Sequence, residues 1–489
     1  MDPIFELNIC LPQSKGERLQ QSIAQQLKTA IADGRLQANL TMPPTRKLAE
    51  HLGTSRNTII AVYTSLTSEG YLHSRLGAGT YVADIHQLQF KKTLQQTLSL
   101  TPSVNQHQQK LTSFWRQPSV PNFSANNTKT EFDFSVGKPE LGFFPFAIWR
   151  KLLAKVSRLQ EQGRLSGPIA EGQLSLRRAI AQHISVSRAV ACNPDNIVVT
   201  AGAQQAFDIL ARILVTPGQT QVAMECPGYP FARQVFAAAG AKIIDVQVDE
   251  QGIMVEHIPV SCRVIYVTPS HQFPTGVKMS AQRRLQLLAF AQHHNASIIE
   301  DDYDSEIRFQ GSPLDALQTL DRNASVFYVG TFSKCLMPDL RLGFVVVPYW
   351  ASAAITSAKL YCDWHSPVLL QETLAMFIQQ GHLTRHIQKL RKCYRQRLDE
   401  LHWALDHYLK DKIEAIAISS GAHMTGLITT AHNGQTITND ALQQGVKLYA
   451  ICDFSNESST MNGLVFGLGG IDKSHIAEGI YRLSRLMKT

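Results

Sequence analysis

From Phe132 onward, short apolar runs alternate with segments of helical periodicity, and this alternation most restricts how the chain can fold. The helical segments include residues 204–215 and 281–294, whose apolar residues recur every three or four positions. Strands that alternate with helices predict an α/β fold, with a mostly parallel sheet covered by helices on both faces. The predicted strands are Ile197–Thr200, Gln221–Glu225, Lys242–Val246, Arg263–Val267, Ser297–Glu300, Val326–Val329 and Phe344–Val347.

Residues 10–84 have a different pattern, typical of a small helical domain. A first amphipathic helix is predicted over residues 18–33 and ends before Gly34. Two short helices follow over 46–52 and 56–69, with Thr45 and Ser55 as N-caps. A hairpin with a glycine-rich tip at residues 76–79 closes the segment. This order predicts a winged helix-turn-helix, whose third helix enters the major groove of double-stranded DNA. The residues predicted to share the buried face of the first helix are Leu19, Ile23, Leu27, Ala30 and Ile31.

Polar and basic side chains cluster where the second and third predicted helices begin. Between Cys10 and Val82 there are eight Lys or Arg residues against four Asp or Glu residues. Taken singly, these side chains are also explained as helix caps and solvated charges, but together they favour contacts with phosphates and base edges. The predicted DNA-binding residues are Arg46, Ser55, Arg56, Asn57, Thr58 and, in the wing, Gly77.

Residues 85–130 are rich in Gln, Thr, Ser, Asn and Pro and contain no Asp or Glu, which predicts a linker. Within it, a short docking helix near Leu88–Leu100 and an anchor at Phe114–Trp115 remain open alternatives to disorder. The third predicted domain is 131–489.

The composition sets few limits on function. Of the 489 residues 44% are apolar and 18% are charged, and no apolar run approaches the roughly 20 residues of a membrane span. The first residues carry no signal-peptide pattern, so we expect a cytoplasmic protein with no membrane partner. Eight cysteines without a Cys-x-x-Cys pair predict reduced thiols and no metal site. The net charge of +8 permits a nucleic-acid partner.

An acid, a phenol, a lysine and an arginine follow two of the predicted strands. Asp301 and Tyr303 come after the run 297–300, and Lys334 and Arg341 come after 326–329. Pyridoxal phosphate is held by a Schiff base to a lysine, and its ring nitrogen needs an acidic partner. The hydroxyls beside Lys334, including that of Ser333, and the Arg341 guanidinium suit a phosphate. A surface ion-pair network fits less well, because charged residues directly after buried strands need partners.

Three further loops follow predicted strands. The turn before Ala203 and Gln204 offers backbone N–H groups to a phosphate at a helix N-terminus. Tyr229, in Pro-Gly-Tyr-Pro, can lie against a planar ring or belong to the core. His271 can contact the cofactor's phenolic oxygen or satisfy a backbone group.

Five motifs together resemble the MocR family of bacterial transcription regulators, in which a GntR-type winged helix is fused to a fold-type-I aminotransferase-like domain. The motifs are Thr-Ala-Gly-Ala-Gln-Gln-Ala from Thr200, Glu-Cys-Pro-Gly-Tyr-Pro from Glu225, Tyr-Val-Thr-Pro-Ser-His-Gln-Phe-Pro-Thr-Gly from Tyr266, Glu-Asp-Asp-Tyr-Asp-Ser-Glu-Ile-Arg-Phe from Glu300 and Gly-Thr-Phe-Ser-Lys-Cys-Leu-Met-Pro-Asp-Leu-Arg-Leu-Gly from Gly330.

The resemblance implies pyridoxal phosphate on Lys334, with Asp301 at the pyridine nitrogen, Tyr303 at the phenolic oxygen and Tyr229 stacked on the ring. It also implies that Ala203, Gln204, Ser333 and Arg341 hold the phosphate. A further implication is a head-to-tail homodimer in which each winged helix packs on the partner's large domain.

The chain departs from the aminotransferase pattern at two places. The segment 165–168 before the Gly172–Arg177 turn has no tyrosine, and residues 459–467 have no arginine for a substrate carboxylate. We therefore expect a regulator that senses an amine or a B6 vitamer, rather than an enzyme. The alternatives are a working aminotransferase with a DNA-binding arm, and a DNA-binding dimer that has lost the cofactor.

Overall fold

The computed structural model describes residues 4–5, 7, 9–11, 17–75, 78–84, 111–116, 130–309, 315–455 and 461–487. The chain divides into two compact units, Met1–Thr112 and Ser113–Thr489. Most of the predicted linker, with its docking helix, and the predicted wing residue Gly77 lie outside the described residues. Among the described helices, none combines the length and the apolar character needed to cross a membrane.

The first unit is a winged helix-turn-helix, as predicted. Its elements are α1 (Glu17–Ala32), α2 (Thr45–His51), α3 (Arg56–Ser68), β1 (Leu72–Arg75) and β2 (Gly79–Val82), and the two strands pair antiparallel. The predicted apolar face of α1 is buried in the unit's core, with Leu19 at its partly exposed margin. The chain leaves α1 through Gly34, whose φ of +82° lies in the region that glycine adopts without strain.

The start of α2 differs from the sequence prediction. Thr45 was expected to be the N-cap, but it is the first helical residue, and Pro44 occupies the N-cap position without a side-chain bond. The carbonyl of Pro44 accepts hydrogen bonds from the N–H groups of Lys47 and Leu48 at 2.8 and 3.1 Å. The N–H of an N-cap residue forms no bond within the helix and its backbone is extended, so proline, which has no N–H, is tolerated at this position. At α3 the prediction is confirmed, because the Ser55 side chain accepts from the Thr58 N–H.

An eight-stranded sheet forms the centre of the second unit. The strands of the unit are β3 (Phe132–Asp133), β4 (Ile197–Thr200), β5 (Gln221–Cys226), β6 (Lys242–Asp249), β7 (Gly252–Ile253), β8 (Val264–Val267), β9 (Ser297–Asp302), β10 (Val326–Thr331), β11 (Gly343–Val346), β12 (Ile413–Ala415), β13 (His423–Ile428), β14 (Val446–Lys447), β15 (Tyr449–Ala450) and β16 (Gly463–Gly467). The strand order in the central sheet is β4-β11-β10-β9-β8-β5-β6-β7. The pairs β10–β9, β9–β8, β8–β5 and β5–β6 are parallel, whereas β11 is antiparallel to both of its neighbours and β7 is antiparallel to β6. All seven predicted strands belong to this mostly parallel sheet.

Helices cover both faces of this sheet, which is why its strands are apolar at successive positions. In β4, Ile197 and Val199 belong to one hydrophobic cluster, and Val198 between them belongs to another on the opposite face. The helices of the unit are α4 (Phe146–Glu161), α5 (Leu174–Arg188), α6 (Ala203–Leu214), α7 (Pro230–Ala238), α8 (Ala281–His294), α9 (Leu317–Leu320), α10 (Ser352–Asp363), α11 (Val368–Gln379), α12 (His382–Tyr408), α13 (Gly434–Gln443) and α14 (Lys473–Leu486).

The C-terminal part of the unit has its own four-stranded sheet, in the order β12-β13-β16-β15. The three pairs in this sheet are antiparallel. Its core contains Met424 and Phe466 and is shared with Leu398 and Leu401 of the long helix α12 and with Ile480 of α14. This second sheet supplies one wall of the cavity described next.

Candidate functional site

A cavity of about 310 Å³ opens where several strands of the central sheet end, which is the usual place for a ligand in an open α/β sheet. It contains eight of the nine side chains predicted to bind the cofactor. Those eight are Ala203, Gln204, Tyr229, Asp301, Tyr303, Ser333, Lys334 and Arg341.

Asp301, at the end of β9, is 4% exposed and has one unpaired oxygen. Its Oδ2 accepts a hydrogen bond from the Tyr266 hydroxyl at 2.6 Å, whereas Oδ1 has no partner among the described residues. Burial, opposed by the Tyr266 hydrogen bond and by Lys334 and reinforced by the charge of Asp302, raises the pKa of Asp301 to about 7. A buried carboxylate oxygen without a partner costs free energy, and a protonated pyridine nitrogen is a group that would remove that cost. The Asp301 carboxylate therefore fits the ring nitrogen of pyridoxal phosphate.

Lys334 reaches the cavity from the loop after β10. Its Nζ donates to the carbonyl of Gly137 at 3.0 Å. Burial lowers the pKa of Lys334, although Asp304 and Asp301 act in the opposite direction. A lower pKa increases the fraction of neutral amine, which is the form that attacks a carbonyl carbon. The approach of Nζ depends on Gly137, because a Cβ at that position would lie 2.8 Å from it.

The other end of the cavity is built to hold an anion. Gly202, with φ +80°, precedes α6, and the first N–H groups of a helix have no partner within it. The Arg341 Nη2 donates to the Ala201 carbonyl at 2.7 Å. A Cβ on Gly202 would lie only 3.2 Å from that same nitrogen, so glycine allows the guanidinium to lie beside the helix start. Together with the Thr331 and Ser333 hydroxyls, these groups form a cradle suited to a phosphate.

Tyr229 both lines the cavity and packs in an aromatic cluster, so the two sequence interpretations are not exclusive. Its ring makes edge contacts with Phe231 and Phe273, each with ring centroids 5.7 Å apart. The position stays a predicted stacking site for a planar ring.

His271 does not line the cavity, although the sequence placed it with the cofactor residues. It is 2% exposed, and its Nδ1 lies 3.0 Å from Asp304 Oδ2, a contact that neither sequence interpretation anticipated. The Tyr303 hydroxyl donates to the His271 backbone carbonyl at 2.9 Å and lies 3.2 Å from Nδ1. His271 therefore lies behind the cavity wall, and any effect on a cofactor would pass through the lining residues that it contacts, Tyr303, Asp304 and His423.

His423 is a cavity residue that the sequence analysis missed. It lies in β13, and its ring centroid is 4.4 Å from that of His271. Burial and the neighbouring His271 lower the pKa of His423 to about 3, and its Nε2 lies 3.1 Å from the Pro274 carbonyl. The ring is therefore neutral and donates from Nε2. No local sequence signal separates it from an ordinary buried strand residue, because it reaches the cavity only when the second sheet packs against the first.

The Tyr266 hydroxyl and the Gly137 carbonyl were also missed. Tyr266 is one strand away from Asp301, and the apolar β8 run reads as core. Gly137 lies 197 positions from Lys334, so only the complete fold brings them together.

The region expected to hold a carboxylate arginine is occupied by Asn462 in a structural role. Its Oδ1 accepts from the Gly434 N–H at 2.9 Å and its Nδ2 donates to the His432 carbonyl at 2.7 Å. Of the described residues that line the cavity, Arg341 is the only arginine. The described lining residues include one further lysine besides Lys334, Lys138, which is paired with Asp133.

In the first unit, the predicted DNA-binding residues lie at the starts of two helices. Arg46 is in the first turn of α2, and Arg56 and Asn57 begin α3; all three are exposed. Ser55 and Thr58 form a hydrogen bond with each other, with 2.8 Å between Oγ and Oγ1, and the Ser55 side chain also caps the N-terminus of α3. Neither Arg46 nor Arg56 forms an ion pair with a described residue, which leaves both guanidinium groups available to a ligand.

Comparison with known proteins matches both units to families. Residues 129–452 match the aminotransferase class I and II family, and residues 19–82 match the bacterial regulatory proteins of the gntR family. Over 466 residues the chain is 34% identical to the probable rhizopine catabolism regulatory protein MocR of Rhizobium meliloti, covering 95% of this chain and 93% of that protein. The chain belongs to the MocR family. It is thus a GntR-type transcription regulator with an aminotransferase-like domain.

Two further proteins are similar to this chain, one in sequence and one in structure. The chain is 28% identical over 480 residues to the HTH-type pyridoxine biosynthesis transcriptional regulator PdxR of Corynebacterium glutamicum, covering 96% of each. It also superposes on an archaeal alanine:glyoxylate aminotransferase with a TM-score of 0.68 at 26% identity, covering 74% of this chain and 91% of that one. The fold-type-I assignment is therefore confirmed.

Proposed function

We propose that this MocR-family protein binds pyridoxal phosphate in the 310 Å³ cavity and that an amine or a B6 vitamer acting there changes its affinity for double-stranded DNA. The observation that carries the proposal is the unpaired Oδ1 of the buried Asp301, in the same cavity as Lys334 and the Arg341 cradle. A domain that only dimerised would have no need to keep such a carboxylate in one cavity with a buried lysine and a cationic cradle.

Each end of the cavity has a separate task in this proposal. Asp301 would hold the ring nitrogen, Tyr229 would lie on the ring, and Arg341 with the start of α6 would hold the phosphate. Bound pyridoxal phosphate supplies an aldehyde carbon that condenses reversibly with primary amines. Lys334 would occupy that carbon until another amine replaces it, and burial favours the neutral amine that this exchange needs.

The effector in this proposal is a primary amine or the vitamer itself. Support for the vitamer comes from the similarity to a protein named as a regulator of pyridoxine biosynthesis. Support for an amine without a carboxylate comes from the cavity wall, where Phe231 and Phe273 contribute apolar surface and Arg341 is the only arginine among the described lining residues. We also propose a head-to-tail homodimer that acts in the cytoplasm, where its DNA partner is found.

The proposal is tested on purified full-length protein in two measurements. The absorbance spectrum should show a bound cofactor, and a primary amine or vitamer should shift it. The DNA used is a duplex that the protein selects from a random-sequence pool, and fluorescence anisotropy measures the affinity for it. This affinity should change by about 5–150-fold when the effector is added, which is the usual range of coupling between two sites. A protein that selects DNA but carries no cofactor after incubation with excess pyridoxal phosphate would support the cofactor-free alternative.

Asp301→Asn should loosen the cofactor while leaving Lys334 free to react. The substitution keeps the shape of the side chain but removes the charge from a hydrogen bond worth about 1.5–3 kcal/mol, so we expect the Kd to rise by about 10–150-fold. Dialysis followed by titration with pyridoxal phosphate measures it. Asp208→Asn, an exposed carboxylate in α6 paired with Arg212, is the control and should bind as wild type. Equal affinities of wild type and both variants for pyridoxal phosphate would show that Asp301 does not contact the cofactor.

Catalytic turnover should be slow or absent. Transamination requires the substrate's α-carbon to be held over the ring for proton transfer, and orientation supplies much of such a rate. Among the described lining residues, no arginine besides the phosphate-cradle Arg341 is available to fix a carboxylate. Incubation with a panel of amino acids and 2-oxoglutarate, followed by chromatography, should detect little keto-acid product. Several turnovers per second on any amino acid would instead establish an aminotransferase.

A further inference from the structure

A second cavity, of about 340 Å³, lies away from the first and shares no lining residue with it. Its walls come from α5, α11, α12 and the segment that follows β9. We call it the arginine pocket, because two arginines line it. The lining residues used below are Gln182, His183, Ser187, Arg308, Gln388 and Arg391.

Both arginines of the pocket lack an acidic partner. Arg308 Nε is buried without a hydrogen-bond partner, and neither Arg308 nor Arg391 forms an ion pair within the described part of the chain. Arg391 donates from Nε to the backbone carbonyl of Glu306 at 2.7 Å, which satisfies one nitrogen only. Burial, and then the charge of Arg391, lower the pKa of Arg308, so the two guanidinium groups lie close enough to repel each other.

The nearby acid Glu306 favours the charged form of both arginines but forms no ion pair with either of them among the described residues. The Glu306 carboxylate bonds to His183 at 2.9 Å, and Glu306 itself is not part of the pocket lining. The remaining polar groups include donors, among them Ser187, whose buried Oγ has no described partner, and the Gln182 and Gln388 amides. Two guanidinium groups without an ion pair lie here beside hydroxyl and amide donors. The ligand that suits such a set is an oxyanion, because it accepts several charge-assisted hydrogen bonds.

We propose that the arginine pocket binds the phosphate group of a small phosphorylated metabolite at a site separate from the cofactor cavity. A phosphate dianion matches the two positive charges and accepts bonds at three oxygens, so it satisfies more of these donors than a carboxylate would. The Arg308 Nε is buried, which favours a small molecule over the backbone of a DNA duplex.

The location also connects the pocket to the proposed cofactor residues. Arg308 is five positions after Tyr303 along the chain, and Ser187 immediately precedes Arg188. Arg188 is fully buried and donates to Asp302 Oδ2 at 2.6 Å, next to Asp301. An anion bound by Arg308 and Ser187 would therefore contact the segment that carries Tyr303 and the end of α5 that carries the Arg188–Asp302 ion pair.

The experiment is isothermal titration of the full-length protein, saturated with pyridoxal phosphate, with inorganic phosphate at constant ionic strength. Wild type should show saturable binding at one site. Arg308→Gln and Arg391→Gln should each raise the Kd at least about tenfold, and Arg308→Lys, which keeps the charge but loses the paired donors, should give a smaller rise. Arg395→Gln is the matched control, because Arg395 lies one turn further along α12 and is paired with Asp399 at the surface. It should bind phosphate as wild type.

Each contrary result identifies a different error. If wild type shows no saturable heat, or if Arg308→Gln binds phosphate as tightly as wild type, the pocket is not a phosphate site. Equal weakening in Arg395→Gln would mean that only general surface charge matters. If wild type fails to bind phosphate while Arg308→Gln weakens binding to an unrelated duplex and reduces its salt dependence, the arginines contact DNA and the proposal is overturned. Thermal melting of each variant in phosphate-free buffer excludes a misfolded protein.

Discussion

Lys334→Ala should abolish the cofactor absorbance that remains after dialysis, the largest effect we expect from any single substitution. The predicted covalent link requires the Nζ that contacts Gly137 O, and alanine removes it. The Asp301 carboxylate and the Arg341 cradle remain, so the variant should still bind pyridoxal phosphate weakly and release it on dialysis. Absorbance before and after dialysis, with mass spectrometry of the borohydride-treated protein, measures both effects.

Lys138→Ala is the control for this substitution. Lys138 lines the same cavity but is paired with Asp133, and its loss should leave the absorbance in place. An unchanged visible band in Lys334→Ala, or its loss in Lys138→Ala alone, would place the cofactor link on a different lysine. Since burial lowers the pKa of Lys334, wild type should also react with added pyridoxal phosphate near neutral pH, where an ordinary lysine is almost fully protonated.

The central sheet and most of the proposed cofactor residues were predictable, because both follow from a short-range pattern. A run such as Val326–Val329 is apolar at successive positions only when both faces of a strand are covered, and polar residues that follow a buried strand lie at the edge where strands end. That argument places Asp301, and it places Lys334 after β10 in the same way. Eight of the nine predicted residues line a single cavity, as expected for residues that follow neighbouring strands of one sheet.

The contacts that were missed depend on packing between distant segments. His423 belongs to the C-terminal sheet, and Asp304 pairs with His271 across a loop that the sequence leaves open. The antiparallel direction of β11 is also invisible locally, since an apolar run reads the same in both directions. The wrong N-cap prediction at Thr45 is a local error. Threonine is a common capping residue and was therefore chosen over Pro44, which precedes it and occupies the N-cap position.

Arg56→Ala should weaken binding to the selected duplex without altering the cofactor spectrum. Arg56 is the first residue of α3, the helix that a winged helix-turn-helix places in the major groove, and its side chain is exposed without an ion pair among the described residues. An arginine that contacts a guanine through two hydrogen bonds contributes about 1–3 kcal/mol of discrimination, so the Kd should rise by about 5–150-fold.

The loss at Arg56 should be specific to sequence, which separates a base contact from a phosphate contact. Anisotropy at fixed salt on the selected duplex and on an unrelated one makes the comparison, and the unrelated duplex should bind nearly as before. Arg35→Ala removes an exposed arginine of the same unit that is paired with Asp33 just after α1, and it should leave both affinities unchanged. Uniform weakening on both duplexes would assign Arg56 to a phosphate, and wild-type affinity for the selected duplex would exclude the start of α3 as the segment that reads the bases.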